Sequence, residues 1–210
     1  MARARLTKKR LLGLDRSGPP PAQTLRGSPL NPWTIPNAIG FARIALIPVF
    51  LGLALSSGDG RVASASIIYA VIGGTDYLDG IAARVTGQYS RLGVLLDPLT
   101  DRLLVVSGVI VCWHYELLPR WALAVLAARE LAMLLISVAA TRRGFEIEVN
   151  MMGRWGVWPT MFSLFLAMVS TTWVADALLY LGLAMTLAAT ALYIRDGLDK
   201  LREESPSSSA

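Results

Sequence analysis

Four aspartates within a stretch of 26 residues give the sequence its clearest chemical signal. On a helix that advances about 100° per residue, Asp76 and Asp79 share one face, and Asp97 and Asp101 share one face of the following helix. If the two helices are antiparallel neighbours, all four carboxylates can reach a common space. Oxygen ligands without thiolate or imidazole are typical of Mg²⁺ sites, with Mn²⁺ as the next candidate, and four carboxylates are enough to hold two ions.

Such a site has a plausible chemistry and a structural alternative. Two metal ions that flank a transferring phosphoryl group are a recurrent catalytic device, and a carboxylate beside them can act as a base. The alternative is that nearby arginines pair with the aspartates and only stabilise the fold. Gly80, Ala83 and Gly93 favour the metal site, because these small residues leave space on the helix faces that carry the carboxylates.

The elements that must position these carboxylates are apolar helices. Of the 210 residues 54% are hydrophobic and only 17% are charged, which is too apolar for an ordinary soluble domain. Six segments are each long enough to cross a bilayer as a helix. They cover residues about 35–55, 63–83, 93–113, 121–140, 155–172 and 176–194. The predicted fold class is therefore all-α, a polytopic membrane protein with six transmembrane helices.

The composition excludes several other kinds of chemistry. One cysteine, Cys112, excludes an intramolecular disulfide, and one histidine, His114, excludes His-rich metal sites and the common Ser-His-Asp type of catalysis. The basic N-terminal tail lacks the interleaved aromatic residues typical of nucleic-acid binding, so we predict no nucleic-acid partner. Any catalysis or ligand binding by this chain is therefore expected to depend on carboxylates and arginines.

Basic residues are distributed asymmetrically about the six segments. With a cytoplasmic amino terminus, the inward-facing tails and loops hold sixteen lysines and arginines, whereas the outward-facing loops hold only Arg61 and Arg120. This pattern predicts a multi-pass protein of the cell membrane with both termini in the cytoplasm. The four carboxylates then lie near the cytoplasmic ends of the second and third helices, so the predicted active site faces the cytoplasm.

Composition divides the chain into three regions. Residues 1–32 form a basic, proline-rich cytoplasmic tail and linker, residues 33–198 form the six-helix domain, and residues 199–210 form a polar, disordered tail. The first 28 residues carry seven basic residues against one aspartate, which is typical of a segment that lies beside an anionic membrane surface.

The aspartates belong to a longer pattern with fixed spacing. Residues 76–101 read D-x2-D-G-x2-A-R-x8-G-x3-D-x3-D, and this matches the signature of the CDP-alcohol phosphatidyltransferases at every defined position. Further landmarks, among them Asn37, Arg43 and the pair Arg129-Glu130, resemble the bacterial phosphatidylglycerophosphate synthase branch of that family. The resemblance covers residues about 33–195.

The resemblance implies a six-helix membrane enzyme, commonly a homodimer, that transfers the phosphatidyl group of CDP-diacylglycerol to an alcohol and releases CMP. It implies that two metal ions are bound by Asp76, Asp79, Asp97 and Asp101. It also implies that Asp101 is the base that deprotonates the acceptor hydroxyl. The remaining signature residues would accommodate the cytidine diphosphate: Gly80, Ala83, Arg84 and Gly93.

The resemblance to the phosphatidylglycerophosphate synthase branch implies glycerol 3-phosphate as the acceptor. Arginines could form a pocket for its phosphate, since arginine supplies bidentate contacts to phosphate oxygens. The candidate residues are Arg43, Arg129, Arg142, Arg143 and Arg154. Some of these side chains have a simpler interpretation as membrane-interface anchors or as partners of buried carboxylates. Arginine also stands where many phosphatidylglycerophosphate synthases have lysine, and residues 90–102 resemble relatives that use phosphatidylglycerol and make cardiolipin. The sequence therefore leaves phosphatidylglycerol and inositol phosphate open as acceptors.

Two other classes of protein fit the intramembrane aspartates less well. A cation transporter would use them as an ion path, but transport sites tend to lie near the membrane midplane in repeated halves. This sequence has no internal repeat, and its carboxylates gather near one membrane face. A structural membrane protein with paired charges would keep its metal affinity and its lipid products when all four aspartates are replaced by asparagine.

Overall fold

The computed structural model describes residue 29 and residues 31–142 and 151–203. Within these ranges the chain forms six α-helices and no β-strand. The helices are α1 (Ile35–Leu55), α2 (Ala63–Thr86), α3 (Arg91–His114), α4 (Arg120–Arg142), α5 (Met151–Val169) and α6 (Trp173–Glu203). The predicted all-α class is confirmed, and each predicted apolar segment overlaps one helix. The last helix continues to Glu203, so the C-terminal tail predicted from residue 199 begins as helix.

Local sequence explains where the helices near the signature begin and end. Thr34 caps α1, because its hydroxyl accepts a hydrogen bond from the backbone N–H of Asn37 at 3.3 Å. Gly87 ends α2 with a φ of +66°, a left-handed conformation that favours glycine. Only residues 87–90 separate α2 from α3, and a connection this short makes the two helices neighbours that run in opposite directions.

The helices group into two compact units. The first unit contains α1, α2 and the part of α3 up to Ser107, and α1 packs along α2. The second unit contains the rest of α3 from Gly108 onward, α4, α5 and α6, and α6 packs against α5 and α4. The candidate catalytic carboxylates all belong to the first unit.

Glycines allow α5 and α6 to approach closely in the second unit. A methyl group added at Gly182 would lie 2.8 Å from the backbone nitrogen of Thr160, and one added at Gly156 would lie 2.8 Å from the Thr186 methyl carbon. Small residues at such crossings are a common way for helices to pack in a membrane.

Large apolar side chains are exposed on several helices, whereas some hydroxyl side chains are buried. Large apolar residues such as Ile67, Leu131 and Leu135 are exposed, whereas Thr100 and Ser107 are buried. Each of these two hydroxyls donates to a carbonyl of its own helix, which removes the cost of burying it. The chain's one cysteine is also fully buried, with no exposed surface.

Two helices in the described ranges are long and apolar enough to cross a membrane by length and composition: Ile35–Leu55 and Trp173–Leu192. These segments correspond to the first and last of the six predicted spans. The other four predicted spans form helices, and their crossing of the bilayer stays a prediction.

Candidate active site

Two of the four signature aspartates meet at one arginine. Asp76 lies in the second half of α2 and Asp101 lies in the first half of α3, so the short loop between these helices brings them to a similar level. The Arg43 guanidinium of α1 binds Oδ1 of Asp76 at 2.9 Å through one terminal nitrogen and Oδ1 of Asp101 at 3.2 Å through the other. Three helices therefore contribute one charged group each to the same place.

Arg43 is buried, and the two carboxylates are not. Its side chain is only 2% exposed, whereas the side chains of Asp76 and Asp101 are each 37% exposed. The Arg43 Nε–H also donates to the backbone carbonyl of Ile72 at 3.0 Å. The arginine thus lies behind the carboxylates, and a molecule that arrives from outside reaches the carboxylates first.

The sequence predicts that the Arg43 guanidinium contacts the acceptor phosphate, and this role stays a prediction. In the structure the guanidinium has carboxylate and backbone carbonyl partners in a buried position. A cation buried among carboxylates is stabilised by those partners, because unpaired charge is costly away from water.

The remaining signature residues lie on the same two helices. Asp97 is exposed and precedes Asp101 by one turn of α3, while Ala83 and Gly93 are half-buried on α2 and α3. Asp79, Gly80 and Arg84 belong to α2, and their side chains lie outside the described part of the structure. The fold therefore brings Asp76 and Asp101 together.

The described carboxylates have the oxygen donors that a hard divalent cation prefers. No group of three or more His, Cys, Asp or Glu side chains converges among the side chains that the structure describes, a set that omits Asp79. Asp76 and Asp101 nevertheless offer accessible carboxylate oxygens around a shared point, with Asp97 one turn away. Oxygen donors of this kind are those that Mg²⁺ and Mn²⁺ prefer.

Two buried polar residues, for which sequence reasoning gave no role, tie the start of α1 to the start of α3. The Asn37 side-chain amide donates to the backbone carbonyls of Asn31 and Pro32, at 3.0 and 3.1 Å. Its oxygen accepts a hydrogen bond from the Ser90 hydroxyl at 2.8 Å, and that hydroxyl accepts from the Gly93 N–H at 2.9 Å. The sequence signal for this role was a polar residue, Asn37, directly after Ile35-Pro36 at a helix start. Its partner Ser90 could not be identified from the sequence, because it is 53 residues away.

The signature glycine at position 93 is required by this hydrogen-bonded cluster. A Cβ atom at Gly93 would lie 2.9 Å from the Asn37 side-chain oxygen and 3.2 Å from the Ser90 hydroxyl. Gly93→Ala is expected to break the Ser90–Asn37 hydrogen bond and to cost about 1–3 kcal/mol, because the buried amide oxygen loses its donor. Thermal unfolding in detergent should show a lower Tm for this variant.

Gly52→Ala is the matched control, since a Cβ atom there meets nothing within 4 Å. That substitution should leave the Tm unchanged or raise it slightly, because alanine is the better helix former. Equal Tm values for the Gly93 and Gly52 variants would contradict the role assigned to the cluster.

A cavity of about 360 Å³ opens beside the loop that joins α2 and α3. It lies between this loop and the residues that lead into α1, where the Ile35 N–H donates to the Gln88 side-chain oxygen at 3.0 Å. The lining residues are Asn31, Pro32, Trp33, Thr34, Gly87, Gln88 and Tyr89. The loop lies inside the signature, between Arg84 and Gly93.

The other candidate acceptor residues belong to the second unit. Arg129 of α4 pairs with its neighbour Glu130, both are largely buried, and its Nε–H donates to the Thr190 hydroxyl of α6 at 3.3 Å. This is the simpler interpretation noted from the sequence, a buried arginine with a carboxylate partner. Arg142 ends α4 and Arg154 lies in α5, with their side chains outside the described part, and Arg143 falls outside the described residues.

Comparison with known protein sequences shows the family. The profile of the CDP-alcohol phosphatidyltransferase family matches residues 33–188. A protein of Streptomyces coelicolor named cardiolipin synthase (CMP-forming) is 40% identical over 167 residues, which are 76% of this chain and 77% of that protein. The CDP-diacylglycerol–glycerol-3-phosphate 3-phosphatidyltransferase of Bacillus subtilis is 32% identical over 138 residues, 60% of this chain and 72% of that protein. The chain therefore belongs to the CDP-alcohol phosphatidyltransferase family.

Proposed function

We propose that this protein transfers the phosphatidyl group of CDP-diacylglycerol to the hydroxyl of a glycerol-containing acceptor, in phospholipid biosynthesis. The observation that carries the proposal is the meeting of Asp76 and Asp101, two half-exposed carboxylates from neighbouring helices that bind one buried guanidinium. Both carboxylates belong to the family signature, so the chemistry and the family assignment point to the same residues.

The transfer step assigns a role to Asp101. The acceptor oxygen forms a bond to the phosphatidyl phosphorus, and the bond from that phosphorus to the oxygen bridging to CMP breaks. CMP leaves with the electron pair of the broken bond, and the acceptor proton passes to the Asp101 carboxylate. The accessible face of this carboxylate supports its role as the base, because an acceptor hydroxyl must come within hydrogen-bond distance of it.

A divalent metal is part of the proposal. Asp76, Asp79, Asp97 and Asp101 would hold Mg²⁺, in two ions as the family resemblance implies, with Mn²⁺ as a substitute. Bound metal supplies charge neutralisation for the diphosphate and for the leaving CMP. The small residues Gly80, Ala83 and Gly93, with Arg84, would admit and hold the cytidine diphosphate portion beside these carboxylates.

Phosphatidylglycerol is the acceptor that we favour. The cardiolipin synthase of Streptomyces coelicolor aligns with this chain at higher identity, and over more of both proteins, than the glycerol-3-phosphate enzyme of Bacillus subtilis does. The buried ion pair of Arg129 also leaves one fewer arginine for a free phosphate group. Glycerol 3-phosphate, the acceptor predicted from the sequence, is the second candidate and is supported by the Bacillus subtilis relative.

An acceptor panel tests the proposal directly. Purified protein in detergent or liposomes receives CDP-diacylglycerol, Mg²⁺ and one acceptor at a time: phosphatidylglycerol, glycerol 3-phosphate, inositol phosphate or serine. We expect CMP release with phosphatidylglycerol, together with cardiolipin as the lipid product. Turnover with glycerol 3-phosphate alone would assign the second candidate, and no CMP release with any acceptor would contradict the proposed function.

We also propose that all six helices cross the cell membrane, with both termini and the carboxylates on the cytoplasmic side. The exposed apolar side chains of α2, α4 and α5, and the concentration of basic residues in the inward-facing loops, support this topology. A homodimer is the proposed assembly, as the family resemblance implies.

A further inference from the structure

The contacts of Arg43 do more than balance charge. A guanidinium presents its N–H groups in a planar fork, so partners at its two terminal nitrogens are fixed relative to one another. Here one nitrogen binds Asp76 of α2 and the other binds Asp101 of α3. The distance between the two carboxylates is thereby set by a rigid group from a third helix.

The arginine is itself fixed to the backbone of α2. Its Nε–H donates to the carbonyl of Ile72, which lies one helical turn before Asp76. The fork therefore has a defined position relative to the Asp76 backbone before it meets Asp101. Lysine at this position would carry the same charge but would lack the fork, because its ammonium is a compact point charge on a flexible stem.

The orientation of the carboxylates follows from the atoms that Arg43 uses. Each of these two ion pairs is made through Oδ1 of its carboxylate. A carboxylate has a second oxygen that can also accept from a positive group. One positive charge against two negative charges leaves the three groups with a net negative charge. A divalent cation on the accessible side of the carboxylates would compensate that charge.

We propose that Arg43 is a positioning residue that holds Asp76 and Asp101 in the arrangement needed for metal binding and proton transfer, rather than a ligand of the acceptor phosphate. This inference rests on the proposed function for its link to catalysis. Its structural half, that Arg43 holds the two carboxylates together, rests on the contacts alone.

The test compares Arg43→Gln and Arg43→Lys with wild type, and Arg120→Gln serves as the matched control. Arg120 is exposed and pairs with Glu116 on the surface, so its loss should change neither stability nor activity appreciably. Two quantities are measured for each protein. The first is the Tm in detergent, in EDTA and in saturating Mg²⁺, and the second is CMP release as a function of acceptor concentration.

In EDTA, Arg43→Gln should have a lower Tm than wild type, because two facing carboxylates lose their counter-charge. Addition of Mg²⁺ should raise its Tm by more than it raises that of wild type. Arg43→Lys retains the charge, so its Tm in EDTA should lie nearer that of wild type.

The kinetic constants show whether the charge of Arg43 is sufficient or whether its orientation of the two carboxylates is also needed. Both variants should show a kcat lowered by roughly 10- to 100-fold at saturating Mg²⁺, the usual cost of losing a group that orients metal ligands. The acceptor KM should not change. A raised acceptor KM with an unchanged kcat and an unchanged Tm would overturn the proposal and assign Arg43 to acceptor binding.

A double-variant cycle distinguishes an electrostatic interaction between Arg43 and Asp76 from a simple packing effect of Arg43. Asp76→Asn should lower the Tm in EDTA when Arg43 is present and should raise it in the Arg43→Gln background, because there it removes like-charge repulsion. Additive losses would mean that Arg43 only fills space, and would overturn the proposal. Absence of CMP release by the wild-type protein would instead defeat the proposed function, while the Tm cycle would still decide the structural half.

Discussion

Asp101→Asn should abolish CMP release. The substitution removes the base that takes the acceptor proton, and general-base catalysis typically contributes about 10²–10⁴-fold to the reaction rate. It also removes one negative charge from the metal-binding carboxylates. The amide is close to the carboxylate in size, and its oxygen can still accept a hydrogen bond from Arg43. The fold should therefore persist, and the loss should appear in kcat when CMP is measured in detergent or liposomes with CDP-diacylglycerol and acceptor.

Asp59→Asn is the matched control for this experiment. Asp59 is exposed in the loop between α1 and α2, and its Oδ1 accepts from the Arg61 N–H at 2.9 Å, a bond that the asparagine oxygen can also form. CMP release by this variant should equal that of wild type. Undiminished turnover of Asp101→Asn under the same conditions would reject Asp101 as the base.

Removal of divalent metal should be as severe as the loss of Asp101. In EDTA no divalent cation is bound to neutralise the diphosphate of the donor. The negatively charged carboxylates then face a negatively charged substrate and repel it. CMP release should fall to background, return fully with Mg²⁺ and return at least in part with Mn²⁺. The measurement is CMP release during a titration of metal into chelated protein.

The state of the fold must be followed in the same samples. The ion pairs of Asp76 and Asp101 with Arg43 do not involve metal, so the chelated protein should still unfold cooperatively on heating. Full CMP release in chelator would reject the metal site. The four Asp→Asn substitutions together should abolish metal-dependent thermal stabilisation, whereas a structural protein with paired charges would show none to begin with.

Helical periodicity and a short connection were enough to predict that Asp76 and Asp101 come close to one another. Asp76 and Asp101 follow from a local rule, because their spacing to Asp79 and Asp97 places each pair on one helix face and a short loop joins the two helices. The six helices follow from runs of apolar residues in the same way. What these predictions share is that each depends on neighbours within a few turns or on a connection of a few residues.

Long-range polar contacts were beyond such rules. The Arg43–Asp76 and Arg43–Asp101 ion pairs join residues separated by 33 and 58 positions, and the Ser90–Asn37 hydrogen bond joins residues 53 apart. Which buried cation meets which carboxylate depends on how three helices pack, and sequence spacing does not encode that packing. Arginine is chemically suited to phosphate and carboxylate alike, so its residue type could not decide between them.

Because Cys112 is buried, the membrane topology of this chain can be mapped by cysteine labelling without first removing the native cysteine. Its thiol is inaccessible in the folded protein, so the native chain presents no reactive sulfur to a membrane-impermeant maleimide. Cysteines introduced one at a time into the loops at residues 57–61 and 87–89 would then be the sites that react. Labelling of intact cells at the first loop but not at the second would report directly which face of the membrane the carboxylates serve.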